Sequence, residues 1–276
     1  MIDWILFINN SFGGGAYDLN AVTNGLGCAL KKFEPSIENI DHVNQGLPYS
    51  HGVIRNPTSL GRQLVELEGD IMATTPTAYW TQRKSMVQHF TSMFPNSTLG
   101  KLQFLLTGQT EPWTLDASIV GYPQIPVGLA GATISPWRLV LAGNDPWFHS
   151  YDLQTQTIVG LSSTPLTNFG NGNAPSWMEY TITGPITNPS IDQQGYPGMI
   201  SIGATLTAGQ TITVVMRDRT IQGPSGNLYN VTSFPYGWLP MDPRLVTWIG
   251  KSIKLNGTGT SGATQIQARW YNNYTI

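Results

Sequence analysis

Charge is what this sequence has least of. Of 276 residues, 14 are Lys or Arg and 16 are Asp or Glu, 11% of the chain, where an ordinary soluble domain carries about 25%. The net charge of −2 argues against a general nucleic-acid binder, which needs a basic stripe to displace counterions from phosphates. The one cysteine, Cys28, can form neither an internal disulfide nor a Cys-based zinc site. Within Gly-Leu-Gly-Cys-Ala-Leu it reads as a small buried hydrophobe rather than a reactive thiol. No stretch approaches the ~18 apolar residues of a membrane span. The opening Met1-Ile2-Asp3-Trp4-Ile5-Leu6 has no basic segment ahead of a short apolar run, so no signal peptide is expected. The expectation is synthesis and folding in a cytoplasm, which makes triplets such as Asn96-Ser97-Thr98 incidental, since glycosylation requires secretion.

What is present is enough for a core. Apolar residues make up 40%, so the missing charge does not signal disorder. A monomer of this mass exposes on the order of 11,000–12,000 Å², roughly one charge per 400 Å². Either uncharged Thr, Asn, Gln and Ser cover the surface, or other subunits do.

The apolar period is mostly two, the strand signal. In Arg62 to Ile71, Val65, Leu67 and Ile71 share one face and Glu66, Glu68 and Asp70 the other. Trp113/Leu115/Ala117/Ile119, Leu102/Phe104/Leu106, Trp137/Leu139/Leu141, Met178/Tyr180/Ile182, Ile200/Ile202, Ile212/Val214/Met216 and Ile266/Ala268/Trp270 repeat the pattern. The 30 Gly and 19 Pro fall between such runs as turn punctuation. One segment, about 76–94, reads as helix: Thr75 caps it, Pro76 suits its first position, and Tyr79, Met86, Val87, Phe90 and Met93 recur at helical spacing before Pro95. A boundary is expected after Asn144-Asp145-Pro146-Trp147-Phe148-His149, before a stretch to Pro175 without strong strand pattern. Residues 1–150 carry 8 basic and 11 acidic groups, residues 151–276 carry 6 and 5. The fold class expected is mainly β: a barrel or sandwich with one helix over 1–150, then a β-sandwich over 151–276.

Candidate chemistry is thin. Gly257-Thr258-Gly259-Thr260-Ser261-Gly262 satisfies G-x-G-x-x-G, but Thr264 to Trp270 alternates as a strand where a dinucleotide site needs a helix, so a hairpin loop between the last two strands is the better reading. Glu66, Glu68 and Asp70 on one face suggest a glycosidase pair, or simply a polar strand face. No carboxylate has an evident apolar pocket to raise its pKa, which favours the second. His42, His51, His89 and His149 form no H-x-H or H-E-x-x-H motif, and His89 reads as a solvated residue off the apolar stripe. Lys31-Lys32 and Arg217-Asp218-Arg219 are too short for a phosphate-binding patch, the latter marking a turn or strand end. No catalytic, cofactor or metal site is expected, and the chain is read as a non-enzyme. Nine Trp and eleven Tyr leave sugar binding by ring stacking open, beside the core and interface roles that aromatics more often fill.

A series of fragments runs along the chain: the Gly52-Val53-Ile54-Arg55 turn, the strand ending Glu68-Gly69-Asp70-Ile71, the helix around Lys84-Ser85-Met86, Gly100-Lys101-Leu102-Gln103-Phe104 and Trp137 to Leu141 leading into Asn144-Asp145-Pro146. Then come Asn168-Phe169-Gly170, Gly184 to Ile191, Leu206 to Gln210, Ile212 to Met216 and Arg219-Thr220-Ile221. The order of these fragments resembles the distal tail protein (Dit) family, tail-tip and baseplate adaptors of long non-contractile-tailed phages. The resemblance implies a ring-forming belt domain over 1–150 and a galectin-like sandwich over 151–276. It also implies a hexameric ring joining the tail tube to the tail-tip hub or tail-associated lysin, with the tape-measure C-terminus a further partner, in a virion component made in the host cytoplasm. The chain departs from the family at Met241-Asp242-Pro243, where a Pro-Gly-Asn turn is usual, and lacks long receptor-binding insertions. True galectins use a His-x-Asn-Pro-Arg strand; here Ile186 and Ser190 flank Asn188-Pro189, so no galectin-type sugar site is expected. The alternative function is a carbohydrate-binding tail protein that attaches the virion to the host wall. The uncharged span Leu153 to Ser176 is where subunit contacts are first expected.

Overall fold

The computed structural model describes residues 2–9, 16–23, 26–37, 44–46, 53–55, 62–91, 100–121, 123–127, 131–143, 145–167, 169–193, 196–243 and 252–275. The chain is mainly β and separates into two compact units, Met1–Tyr151 with Ile276, and Asp152–Thr275.

The first unit is built on one wide antiparallel sheet. Its strands lie in the order Ala16–Asp18, Ile2–Asn9, Gly100–Leu106, Trp113–Ile119, Ile134–Gly143, Gln63–Met72, Leu26–Ile37 and Val22–Thr23. Phe148–Ser150 adds to the Trp113–Ile119 strand. A sheet this wide must curl to bury one face. The curl is visible in Phe33, whose ring lies 4.8 Å from that of Phe104 on a strand far from its own in the sheet order. Phe148 closes the cluster, 5.1 Å from Phe104. The strict alternation along Gln63–Met72 is realised: Val65, Leu67 and Ile71 are buried while Glu66, Glu68 and Asp70 point outward. Gly69 lies on the buried side because nothing larger fits. A Cβ there would stand 2.1 Å from the Ala29 carbonyl oxygen and 2.6 Å from the Trp137 indole, so the indole occupies the volume that the missing side chain leaves.

The helix runs Pro76–Thr91, and the rest of the expected span to 94 lies outside the described residues. The Thr75 hydroxyl accepts the Ala78 amide at 3.2 Å, satisfying one of the otherwise unpaired first-turn donors. Tyr79, Met86 and Phe90 are its buried stripe, with Phe90 5.3 Å from Phe7 and 5.9 Å from Tyr17. Arg83 donates to the carbonyls of Ile125 and Pro126 at 2.8 and 3.1 Å. Val53–Arg55, read as part of a turn, is instead a short strand paired with Asn44–Gly46.

The second unit is a sandwich of two antiparallel sheets. One has the order Gln154–Val159, Gln265–Trp270, Glu179–Thr183, Thr211–Val215, Thr220–Gly223 and Gly226–Asn227. The other runs Ser163–Pro165, Ser252–Thr258, Ile186–Gln193, Tyr196–Ile202 and Thr232–Ser233. Between them lie Tyr180, Ile182, Ile212, Val214, Ile266 and Trp270 from the first sheet and Ile191, Ile200, Ile202, Ile253 and Leu255 from the second. Each such side chain contributes about 1.5–3 kcal/mol by leaving water. Two expectations need correction. The stretch from Tyr151 to Pro175 is not patternless loop: it supplies Gln154–Val159 and Ser163–Pro165, one edge strand of each sheet. Apart from Ile158, Val159 and Pro165 their residues are Thr, Gln and Ser, so they lack the apolar alternation that reveals a strand. The Gly257–Gly262 stretch is no hairpin, because Ser252–Thr258 and Gln265–Trp270 belong to different sheets and the segment crosses from one to the other.

Candidate functional site

The three acids singled out as a possible glycosidase set do share a face, and the fold neutralises them. Arg138 sits directly across from Glu68 and reaches diagonally to Glu66, with contacts of 3.4 and 2.6 Å. On the other side the pairing with Leu26–Ile37 slips between Leu30 and Lys32, a bulge that brings two successive lysines to the acidic face. Lys31 meets Asp70 at 2.5 Å, and Lys32 meets Glu66 at 3.3 Å and Glu34 at 2.6 Å. Desolvation works against the Glu66 carboxylate, but its hydrogen bonds with Glu68 and Lys32 and the Arg138 charge outweigh that and hold its pKa below the usual value. A glycosidase acid needs the opposite, a carboxyl kept protonated by an apolar pocket. The cleft of about 330 Å³ beside this ladder is lined by Lys31, Asp70, Gln124, Trp137 and Arg138 among others, so charge meets charge across it.

The other sequence candidates stay apart. His42 and His51 lie outside the described residues. His149 lies 3.7 Å from the Asp116 carboxylate, its Nδ1 3.0 Å from the Ser150 carbonyl oxygen. His89 is not the solvated residue expected. Its Nε2 is 3.1 Å from the Phe7 carbonyl oxygen and its ring packs at 5.2–6.1 Å on Phe90, Tyr17 and Phe7. Burial there pushes its pKa below 6.5, against the hydrogen bond to Phe7. The face of the helix that meets the sheet is wider than the apolar stripe alone shows. Cys28 is buried, and desolvation first, then the Asp18 charge, pushes its thiol up to about 12, leaving no thiolate at neutral pH. Among the described residues no three His, Cys, Asp or Glu side chains gather as metal ligands.

In the second unit the Gly-rich crossing is held by Thr264, whose hydroxyl donates to the Pro185 carbonyl at 2.6 Å and accepts the Ser261 amide at 3.0 Å. Gly257 is confined: a Cβ would stand 2.6 Å from the Ile186 side chain. The segment is thus a strapped corner with no helix following it, not a phosphate cradle. Ile186, standing where a galectin has His, is buried in the core. Arg217-Asp218-Arg219 is the turn between Thr211–Val215 and Thr220–Gly223, with Arg219 at φ 55°.

One group escaped the sequence reading. Tyr229, Phe234, Tyr236 and Trp238 lie on a short segment that folds back so that Tyr229 and Trp238 stack 6.5 Å apart at 13°, with Phe234 4.2 Å from Trp238. Tyr236 pairs with Tyr196 at 5.1 Å. Tyr196, Tyr229 and Tyr236 are 38%, 49% and 41% exposed. The available signal was Phe234-Pro235-Tyr236-Gly237-Trp238, aromatics at every second position separated by Pro and Gly, which a buried central strand does not tolerate.

No protein-family model matches the chain, and no curated protein aligns with it. Solved structures do align. The crystal structure of the SPP1 Dit protein, described as a paradigm of the hub adsorption apparatus in phages infecting Gram-positive bacteria, superposes with a TM-score of 0.61. The alignment covers 96% of this chain and 98% of that one at 12% identity. The chain has the Dit fold. Two structures of the phage P2 baseplate in its activated conformation, with Ca and with Sr, cover 99% and 96% of this chain at 12% identity, but with TM-scores of 0.43 and 0.40 they are too loose to add to it. The coverage means that the Dit fold runs through both units of this chain, with little of either chain left over.

Proposed function

We infer that the protein is a structural distal tail protein of a long non-contractile-tailed phage, a virion component at the tail tip. The observation that carries this is the match to the SPP1 Dit fold over 96% of this chain and 98% of that one. Residues 1–150 form the ring-making belt and residues 151–276 a galectin-like sandwich. Six copies close a ring that joins the tail tube protein to the hub or tail-associated lysin, with the tape-measure C-terminus as a further contact and synthesis in the host cytoplasm. The acidic face of Gln63–Met72 fits a structural role, since Glu66 and Asp70 are tied to lysines and arginine instead of being poised for proton transfer. The edge strands Gln154–Val159 and Ser163–Pro165 fall within the uncharged span 153–176 and present backbone groups at one edge of each sheet, a surface suited to hydrogen-bonded contact between neighbours. Native mass spectrometry of the purified protein, or of tail tips, tests the reading: six copies are expected, and a protein that remains monomeric both in solution and in tails overturns it.

A further inference from the structure

We propose that the exposed aromatic segment of the second unit, Tyr229 to Trp238 with Tyr196, is a binding platform for a neutral saccharide chain. This goes beyond the adaptor role and does not depend on ring formation.

The rings are displayed rather than stored. Phe234 and Trp238 are half-buried and pack on the core of the sandwich, anchoring the segment, while Tyr229 and Tyr236 stand out in solvent. The segment is tied down at several points. Thr232–Ser233 pairs with Ser201–Ile202. The Gln193 side-chain amide donates to the Leu239 carbonyl at 3.2 Å. Met241 and Ser176 exchange backbone hydrogen bonds of 2.8 and 2.9 Å. Asn227 fixes the base of Tyr229 by accepting its amide at 2.8 Å. Holding aromatic faces in place before a ligand arrives lowers the ordering cost of binding.

The occupant follows from what surrounds the rings. From Thr220 to Met241, and from Gln193 to Met216, there is no Asp, Glu, Lys or Arg. An anionic polymer or a charged peptide would find no counter-charge on either run. Exposed Asn227, Asn230 and Ser233, close to Tyr229 and Phe234 along the chain, instead provide amide and hydroxyl groups. Aromatic faces carry partial negative charge; a pyranose presents a patch of slightly positive C–H groups on one face and hydroxyls around its rim. Stacked rings with an uncharged hydrogen-bonding border match both parts of that ligand. The site is separate from the galectin-type position, where Ile186 is buried in the core.

The test uses the full chain and a panel of soluble neutral polysaccharides (dextran, a mannan and a galactan), with polygalacturonate as charged control. Binding is read by saturation-transfer NMR and titration. Binding to a neutral member that is insensitive to salt is expected. Tyr229→Ala and Tyr236→Ala should each weaken it roughly tenfold, about 1.4 kcal/mol, while Tyr229→Phe, which keeps the ring, should retain it. Unchanged amide-exchange protection of Tyr180 and Ile212 confirms that the variants fold. No binding to any neutral member, preference for polygalacturonate, or binding that survives both alanine substitutions each overturns the proposal. So does a change in oligomeric mass in Tyr229→Ala without saccharide binding, which assigns the rings to a protein contact.

Discussion

The outward faces of Gln63–Met72 in the first unit and Gln265–Trp270 in the second occupy equivalent places, each a strand with an antiparallel neighbour on both sides, yet they are built from different chemistry. The first carries Glu66, Glu68 and Asp70, met by Lys31, Lys32 and Arg138. The second belongs to a row in which Thr157, Gln267, Thr181, Thr213 and Gln222 stand side by side across successive strands. The next row holds an ion pair, Glu179 with Arg269 at 2.9 Å. The scarcity of charge is therefore uneven. On the first face charge meets charge within the protein, while the second face meets water mainly with hydroxyls and amides, groups that exchange water for a partner's hydrogen bonds at lower cost than an ion does. Contacts made by the second unit should accordingly be less sensitive to salt than those made by the first.

The largest effect should show that the first unit is held by its core and not by its ladder. Trp137→Ala removes the indole lying over Gly69 and should cost about 3–5 kcal/mol, read from amide exchange along Gln63–Met72. A cost below that of neutralising Glu66 would reverse the ranking. In the second unit the sensitive polar element is buried. The Tyr180 hydroxyl donates to the Gln193 Oε1 at 2.5 Å inside the sandwich, and burial pushes the Tyr180 pKa well above 10.0. Tyr180→Phe strands that acceptor and should cost about 1–3 kcal/mol, by the same amount at low and high salt in urea titrations. The ladder should prove weakest. Glu66→Gln should cost only ~0.2–1 kcal/mol, because its partners Lys32 and Arg138 reach solvent. The loss should shrink in about 1 M salt, where the screening length falls to ~3 Å. A salt-independent loss would mean that the ladder is functionally buried and that the two faces do not differ as described.

These contrasts were unequally legible in the sequence. The buried sides of Gln63–Met72, Thr211–Val215 and Gln265–Trp270 could be read directly, because one apolar and one polar face produce a period of two. The strands Gln154–Val159 and Ser163–Pro165 could not, since their residues are Thr, Gln and Ser with few apolar side chains, and only their pairing with Gln265–Trp270 and Ser252–Thr258 makes them strands. The acidic face was visible, but not the Leu30–Lys32 bulge that brings Lys31 and Lys32 to it, because a register slip is set by tertiary pairing and leaves no local mark. Likewise nothing near Tyr180 in the chain announces Gln193 as its partner, and His89 looked solvated because the strand that receives it, Ile2–Asn9, is distant in sequence.

Acid should separate the two units through that same histidine. All four histidines lie in residues 1–150 and none beyond, so the second unit has no side chain whose ordinary pKa falls near 6.5. His89 has its folded pKa lowered from 6.5, chiefly by desolvation, so the native state prefers the neutral ring. Unfolded chains take up the proton first as pH falls. The stability that neutral His89 contributes is complete above pH 6.5, declines as pH drops toward the lower folded value, and is gone below it. Glu66 adds a second loss at lower pH: its contribution is full above the unfolded value of 4.5 and disappears as pH falls through its depressed folded pKa. Amide protection of the Pro76–Thr91 helix and of Phe7 should therefore weaken as pH falls from 6.5, before the Glu66 loss begins below 4.5, while that of Tyr180 and Ile212 holds steady. His89→Gln, which stays neutral, should flatten the helix response over that interval and leave the loss below 4.5 in place. Equal loss of protection in both units between those pH values would show that their acid response is shared and that the contrast in their chemistry has no thermodynamic consequence.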